Sequence, residues 1–212
     1  MRRFTAGERW LHLSFGMLMA LLIATAAFLC VDPLSAIVGR RALLATVHFW
    51  TGLLLPVPVL AAVTLSPAFR SDARRLNRFQ PADWVWLRAA LRLDTSQPSG
   101  KFNAGQKLNS AFVLAATIVL FGTGLMLHFF EPLPDNIRTG ATFVHDMFAL
   151  AVVVMGVGHF WMAWHDPQAR LGLRTGYVPR SWASRRHSLW EQPAPGRWEL
   201  AGEEEAREVS EG

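Results

Sequence analysis

The sequence predicts an all-α, integral membrane four-helix bundle with a cytoplasmic loop and a C-terminal tail. Three observations carry that expectation. Of the 212 residues, 51% are hydrophobic and 17% charged, against roughly 25% charged in an ordinary soluble domain. Four stretches, residues 10–31, 42–65, 108–130 and 141–164, each supply the about 20 mostly apolar residues that a spanning helix needs. No stretch alternates with the period of two expected of a barrel strand.

The first span follows Arg2, Arg3 and Arg9. Its apolar run is long and no small-x-small cleavage site follows it, which favours a membrane helix over a signal peptide. The second span contains Pro56 and Pro58. Prolines are tolerated in a membrane bundle because neighbouring groups re-satisfy the freed carbonyls. The third and fourth contain Gly122, Gly124, Gly156 and Gly158, which permit close approach of a helix or cofactor. The two loops expected outside are short, leaving no room for a catalytic domain. In the long loop 66–107, residues 83–91 predict a short amphipathic helix, either at the membrane interface or on an ordinary surface. Residues 1–190 read as one membrane domain. Residues 191–212 carry seven Glu and two Arg and read as a disordered acidic tail.

Charge sets the expected orientation. Eighteen Arg and Lys lie in the N-terminus, loop 66–107 and the tail, against three in the other two loops, Arg40, Arg41 and Arg138. By the positive-inside rule both termini of this multi-pass protein are expected to be cytoplasmic. The basic residues lie between apolar segments rather than on one polar face, which argues for membrane topology and against nucleic acid. Cys30 is the one cysteine, which excludes an intrachain disulfide, a Cys-built zinc site and an iron–sulfur cluster in this chain. No Walker, Rossmann or hydrolase motif occurs.

The histidines carry the chemistry. Ionisable residues inside a membrane are expensive and usually functional. His12 lies near the cytoplasmic end of the first span, His48 near the outer end of the second, His145 near the outer end of the fourth and His159 deeper towards the cytoplasm. Fourteen residues separate His145 from His159. That is close to four whole turns, so the two share one helix face about 21 Å apart along the axis. This excludes one shared zinc or copper ion and suits two cofactors stacked across a bilayer. At matching depth His48 pairs with His145 and His12 with His159. A single membrane histidine is more often a packing or proton-relay residue; four at paired depths point to two b-type haems, each held by two imidazoles. Gly16, Gly52, Ala149 and Ala163 follow the four histidines by four positions, on the same helix faces, where a small residue leaves room for a porphyrin. His128 is expected to be interfacial, His165 to lie on the surface where the fourth span ends, and His187 to sit in a basic tail without chemistry.

At these residues the chain resembles the cytochrome b (gamma) subunit of membrane-bound formate dehydrogenases, within the bacterial di-haem cytochromes b that anchor respiratory oxidoreductases. The resemblance runs to about residue 190. It rests on Arg9-Trp10-Leu11-His12, on Val47-His48-Phe49-Trp50-Thr51-Gly52, on the segment from Gly100 to Lys107, on the spacing of His145 and His159, and on the tail from Gly176 to Ala183. It implies that His48 and His145 hold an outer haem b, and His12 and His159 an inner one. It also implies two partners outside the membrane, an iron–sulfur subunit and a molybdenum- or tungsten-containing catalytic subunit. Electrons would reduce menaquinone or ubiquinone near the cytoplasmic face, the only chemistry expected in this chain. Asn103-x-x-Gln106 fits a helix-capping box whose free N–H groups are also able to meet a quinone carbonyl; the resemblance places Asn103 and Gly105 beside the quinone. The competing expectations are a cytochrome b subunit of a hydrogenase or a thiosulfate- or polysulfide-type oxidoreductase, and a haem-free anchor or transporter.

Overall fold

The computed structural model describes residues 1–129 and 133–190. The acidic tail expected over 191–212, and residue 130 at the end of the third expected span, lie outside the described residues. Within them the chain is helical, with an isolated β-bridge between Arg2 and Tyr177. In chain order the helices are α1 (Ala6–Cys30), α2 (Asp32–Val38), α3 (Arg41–Leu54), α4 (Val57–Leu65), α5 (Pro67–Leu76), α6 (Pro81–Ala90), α7 (Ala104–His128), α8 (Asp135–His165), α9 (Pro167–Thr175) and α10 (Arg180–Arg186).

Four units are long and apolar enough to cross a membrane: α1, α3 with α4, α7 and α8. Their outward surface is apolar, with Phe160 75% and Trp164 72% exposed, as expected where lipid rather than water is the solvent. The helices begin earlier than hydropathy suggests. Thr5 caps α1, its hydroxyl oxygen accepting from Glu8 N while Glu8 Oε2 accepts from Thr5 N at 2.7 Å. This reciprocal box lets the helix run one polar turn beyond the apolar stretch. α8 starts at Asp135 and runs for 31 residues.

The second span is two helices. Pro56 and Pro58 lack N–H groups, so the carbonyl of Gly52 loses its helical donor. It accepts instead from Leu55 N at 3.3 Å, and the ladder resumes where Leu60 N donates to Pro56 O at 3.0 Å. The break therefore lasts about one turn.

α1 packs against α2, α3 and α4, α7 packs against α8, and α3 touches α7. α8 is not closely packed on either α1 or α3, which leaves a slot between those elements.

Outside the spans the chain builds a folded polar layer that hydropathy does not reveal. Loop 66–107 contains α5 as well as the expected amphipathic helix, which is α6. Trp86 of α6 is buried while Trp84 and Val85 are exposed. Lys101 and Lys107 are not free interfacial cations: each is buried and paired, Lys101 with Asp72 and Lys107 with Asp83 at 2.6 Å. Burial lowers the Lys101 pKa, and the hydrogen bond to Asp72 opposes that.

The segment after α8 is folded too. The Met1 amine donates to Val178 O at 2.7 Å, and Arg3 N donates to Gly176 O at 2.7 Å. Val178, Trp182, Ala183 and Trp190 form a small core with Met1 and Ala169 against it. The Arg3 guanidinium lies 4.7 Å from the Trp182 ring and donates through Nη2 to Lys101 O at 3.0 Å. Its other nitrogens are buried among aromatic faces, and burial lowers its pKa to about 10. Gly176 is in the left-handed region at φ 93°, and an added Cβ would lie 2.8 Å from Phe4 O. Only glycine fits there.

His187 closes this layer. It is buried, its Nδ1 lying 2.7 Å from Gly100 O and 3.1 Å from Ser99 Oγ. A carbonyl only accepts, so Nδ1 carries the proton and donates to it. Burial, aided by the Arg3 charge, lowers the His187 pKa from 6.5 to about 4. The folded layer thus holds the ring neutral. The stabilisation is fully present above about pH 6.5 and is lost as pH falls towards 4. Amide hydrogen exchange in residues 98–102 and 176–190, corrected for intrinsic rates, should therefore accelerate across that interval. His187→Gln should remove the pH dependence; a dependence that survives it would assign the transition to another group.

Candidate functional site

Four of the expected site residues come together as two pairs. The His12 ring on α1 faces the His159 ring on α8, with centroids 6.0 Å apart and planes at 37°. The His48 ring on α3 faces the His145 ring on α8, with centroids 6.3 Å apart and planes at 66°. Each pair crosses the slot between α8 and the α1/α3 side. Among the described residues no group of three or more His, Cys, Asp or Glu converges on a metal position, so the donor sets are two imidazoles each.

That spacing fits one metal between two imidazoles. A metal–nitrogen bond of about 2 Å, plus about 1.1 Å from nitrogen to ring centre, gives about 6.2 Å between centroids when counted on both sides. Two imidazoles facing each other in this way would hold a haem iron between them, and the haem would supply one-electron redox chemistry. The neighbouring small residues fit a flat group. An added Cβ at Gly16 would meet nothing within 4 Å, and one at Gly52 would lie 3.9 Å from Leu22. Gly124 lies against the His145 ring, where an added Cβ would stand 3.5 Å from Cε1.

The His48 and His145 rings are held from behind. Thr25 Oγ1 of α1 lies 2.8 Å from His48 Nδ1, and Thr123 Oγ1 of α7 lies 2.9 Å from His145 Nδ1. Neither threonine stands out in the sequence, because each lies 22 or 23 residues from its histidine and on another helix. Arg9 was equally hidden beyond its membership of the Arg9-Trp10-Leu11-His12 segment. Its guanidinium donates to Leu173 O at 3.0 Å, Arg174 O at 2.6 Å and Thr175 O at 3.0 Å. One planar fork thus caps α9 and ties the start of α1, one turn from His12, to the segment after α8.

Asn103 and Gly105 lie at the start of α7. Asn103 Oδ1 accepts from Gln106 N at 2.9 Å, and Gln106 Oε1 accepts from Asn103 N at 3.0 Å. The cap occupies the side-chain oxygen and leaves Nδ2 as a donor. Gly105 is in the first turn, where N–H groups have no helical acceptor. Its missing Cβ is used by Trp86, whose indole an added Cβ would meet at 3.0 Å. The α6 indole is therefore one wall of this corner, a contact that sequence spacing does not disclose.

The other histidines do different work. His128 stacks on Phe49, next to His48, with centroids 3.5 Å apart and planes at 11°. His165 is exposed and its Nδ1 donates to Trp161 O at 2.8 Å, the surface role expected of it. His187, expected to be idle, is the buried staple of the polar layer.

The family profile described as prokaryotic cytochrome b561 matches residues 3–170. The cytochrome b556(Fdn) subunits of the nitrate-inducible formate dehydrogenase from Escherichia coli (strain K12) and Shigella flexneri are 27% identical to this chain over 94 residues. That match covers 43% of this chain and 43% of each relative, less than half of either. The family profile spans α1 to α8, including both facing histidine pairs. The chain therefore belongs to the prokaryotic cytochrome b561 family and is a membrane cytochrome b related to formate dehydrogenase cytochromes.

Proposed function

We propose that this chain is the membrane-anchor and electron-transfer subunit of a respiratory oxidoreductase of formate dehydrogenase type, in the bacterial cytoplasmic membrane with both termini cytoplasmic. His48 and His145 hold an outer haem b, and His12 and His159 an inner one. The observation that carries this reading is the two imidazole pairs, each at the spacing of a six-coordinate iron, about 21 Å apart along α8. Haems so held supply one-electron transfer across the membrane, from an iron–sulfur subunit outside to menaquinone or ubiquinone at the cytoplasmic side. The named relatives support formate dehydrogenase as the type of complex; a molybdenum- or tungsten-containing catalytic subunit would lie beyond the iron–sulfur one.

The chain's own residues divide the work. The four imidazoles would hold the two haem irons and leave no place there for a substrate. The polar layer of Arg3, Lys101, Asp72 and His187 braces the cytoplasmic ends of the helices. Quinone reduction consumes protons as well as electrons, so its site belongs where water reaches the protein. At the start of α7, Asn103 Nδ2 donates to one quinone carbonyl and the Gly105 N–H is available to the same group, with Trp86 as a wall. Protons taken from the cytoplasm and electrons arriving from outside together move charge across the membrane, worth about 2.3 kcal/mol per charge per 100 mV.

Three measurements test this. Reduced-minus-oxidised spectra and haem extraction of the purified chain should give two haems b per chain. His48→Ala and His145→Ala should abolish the same centre, and His12→Ala and His159→Ala the other. A stoichiometry near zero would leave a haem-free anchor. Reporter fusions after Pro33 and Leu133 should read outside, and one after Asp94 inside; an inside reading for either outer loop would overturn the topology and the depth pairing with it. Asn103→Asp keeps the capping oxygen but loses the amide donor. It should leave both haems reducible and slow their reoxidation by quinone about tenfold, the worth of one hydrogen bond. Reoxidation at the wild-type rate would remove Asn103 from the quinone site.

A further inference from the structure

The two histidine pairs have different surroundings. Both outer rings have a threonine hydroxyl on Nδ1, at 2.8 Å for Thr25 and His48 and at 2.9 Å for Thr123 and His145. Among the described residues neither inner ring, His12 or His159, has a hydrogen-bond partner from the protein. The outer arrangement is repeated on two unrelated helix pairs, α1 with α3 and α7 with α8.

The direction of these hydrogen bonds follows from what else each hydroxyl touches. Thr25 Oγ1 lies 2.8 Å from Leu21 O and 3.0 Å from Leu22 O. Thr123 Oγ1 lies 2.7 Å from Val119 O and 3.3 Å from Leu120 O. A hydroxyl has one proton, and a carbonyl only accepts. Each threonine donates to its own helix backbone, and its oxygen accepts from the imidazole. Nδ1 therefore carries the proton, and Nε2 keeps its lone pair for iron.

The consequence is electronic as well as geometric. A ligand imidazole that donates its second N–H becomes a more basic ligand. A threonine oxygen whose own proton is engaged by a carbonyl is a better acceptor, because linked hydrogen bonds polarise one another. A more basic axial pair stabilises ferric over ferrous iron and lowers the potential. We infer that Thr25 and Thr123 are positioning residues that set the potential of the outer haem below that of the inner one, so that electron flow inward is downhill. The inference rests on the haem assignment proposed above. The step it favours oxidises the outer iron and reduces the inner one by one electron. No bond forms or breaks, and each Nδ1 keeps its proton.

The test is a spectroelectrochemical titration of the purified haem-loaded protein, with the outer centre defined as the one missing from His145→Ala. Thr25→Val and Thr123→Val preserve side-chain volume and remove the acceptor. Each should keep two haems and move the outer potential upward, lowering the equilibrium constant for outer-to-inner transfer about tenfold, or about 59 mV for one electron. The inner potential should stay put. Thr25→Ser and Thr123→Ser keep the hydroxyl and should restore the wild-type value, which a purely steric role would not. Should a valine variant lose the outer haem, Thr25→Cys and Thr123→Cys, with a weak sulfur acceptor, should hold it and show a smaller upward shift. Two bound haems with unmoved potentials in these variants would overturn the inference, as would a wild-type outer potential at or above the inner one. Absence of haem from the wild-type chain would instead overturn the assignment on which it rests.

Discussion

Hydrocarbon offers no hydrogen bonds, and the organisation of this protein depends on that constraint. Helices satisfy the backbone, and the side-chain hydroxyls of the spans follow the same rule. Ser14, Thr46, Thr64, Thr117 and Thr142 each return a proton to a carbonyl one turn back. Thr25 and Thr123 do this and also lie within hydrogen-bond distance of an imidazole Nδ1. One polar requirement thereby also holds two imidazoles in place. The break at Pro56 and Pro58 obeys the constraint too, because the Gly52 carbonyl that loses its donor finds Leu55.

The slot between α8 and the α1/α3 side is the other half of the design. Helices packed tightly on all sides would leave no room for a flat group. Here α7 with α8 and α1 with α3 make two close pairs, α3 and α7 join them, and the histidines face one another across what remains. Something must hold the slot at a fixed width. Near His12, Arg9 ties α1 to α9. The ion pairs of Lys101 with Asp72 and Lys107 with Asp83 tie the start of α7 to α5 and α6. Buried pairs of this kind contribute little net stability, but breaking one strands a buried charge. They therefore specify the arrangement more than they strengthen it.

Much of this was legible in the residues. Hydropathy located the four spans within a few positions, because lipid selects apolar side chains locally. The capping box at Asn103 was readable for the same reason, and the periodicity of α8 placed His145 and His159 on one face. The helix ends were less legible. Thr5 and Glu8 extend α1 through polar residues, and α8 starts in a polar stretch at Asp135, where a hydropathy window reads loop. α5 and the folded segment after α8 were missed because their apolar residues are few. Their stability comes from contacts with distant parts of the chain.

The sequence by itself determined the class of the protein and the placement of His145 and His159 on one face of the fourth span. These follow from composition and helical pitch, which need no knowledge of neighbours. Only the tertiary structure decided the partners. Thr25 for His48, Thr123 for His145, Trp86 for Gly105 and Gly100 for His187 are choices among many residues of the same kind at similar depth. Arg9 meets Leu173 across 164 positions of chain and Arg3 meets Lys101 across 98. No local pattern encodes such pairings, because they depend on how whole helices pack, and that is settled by the sum of many weak contacts rather than by any one residue.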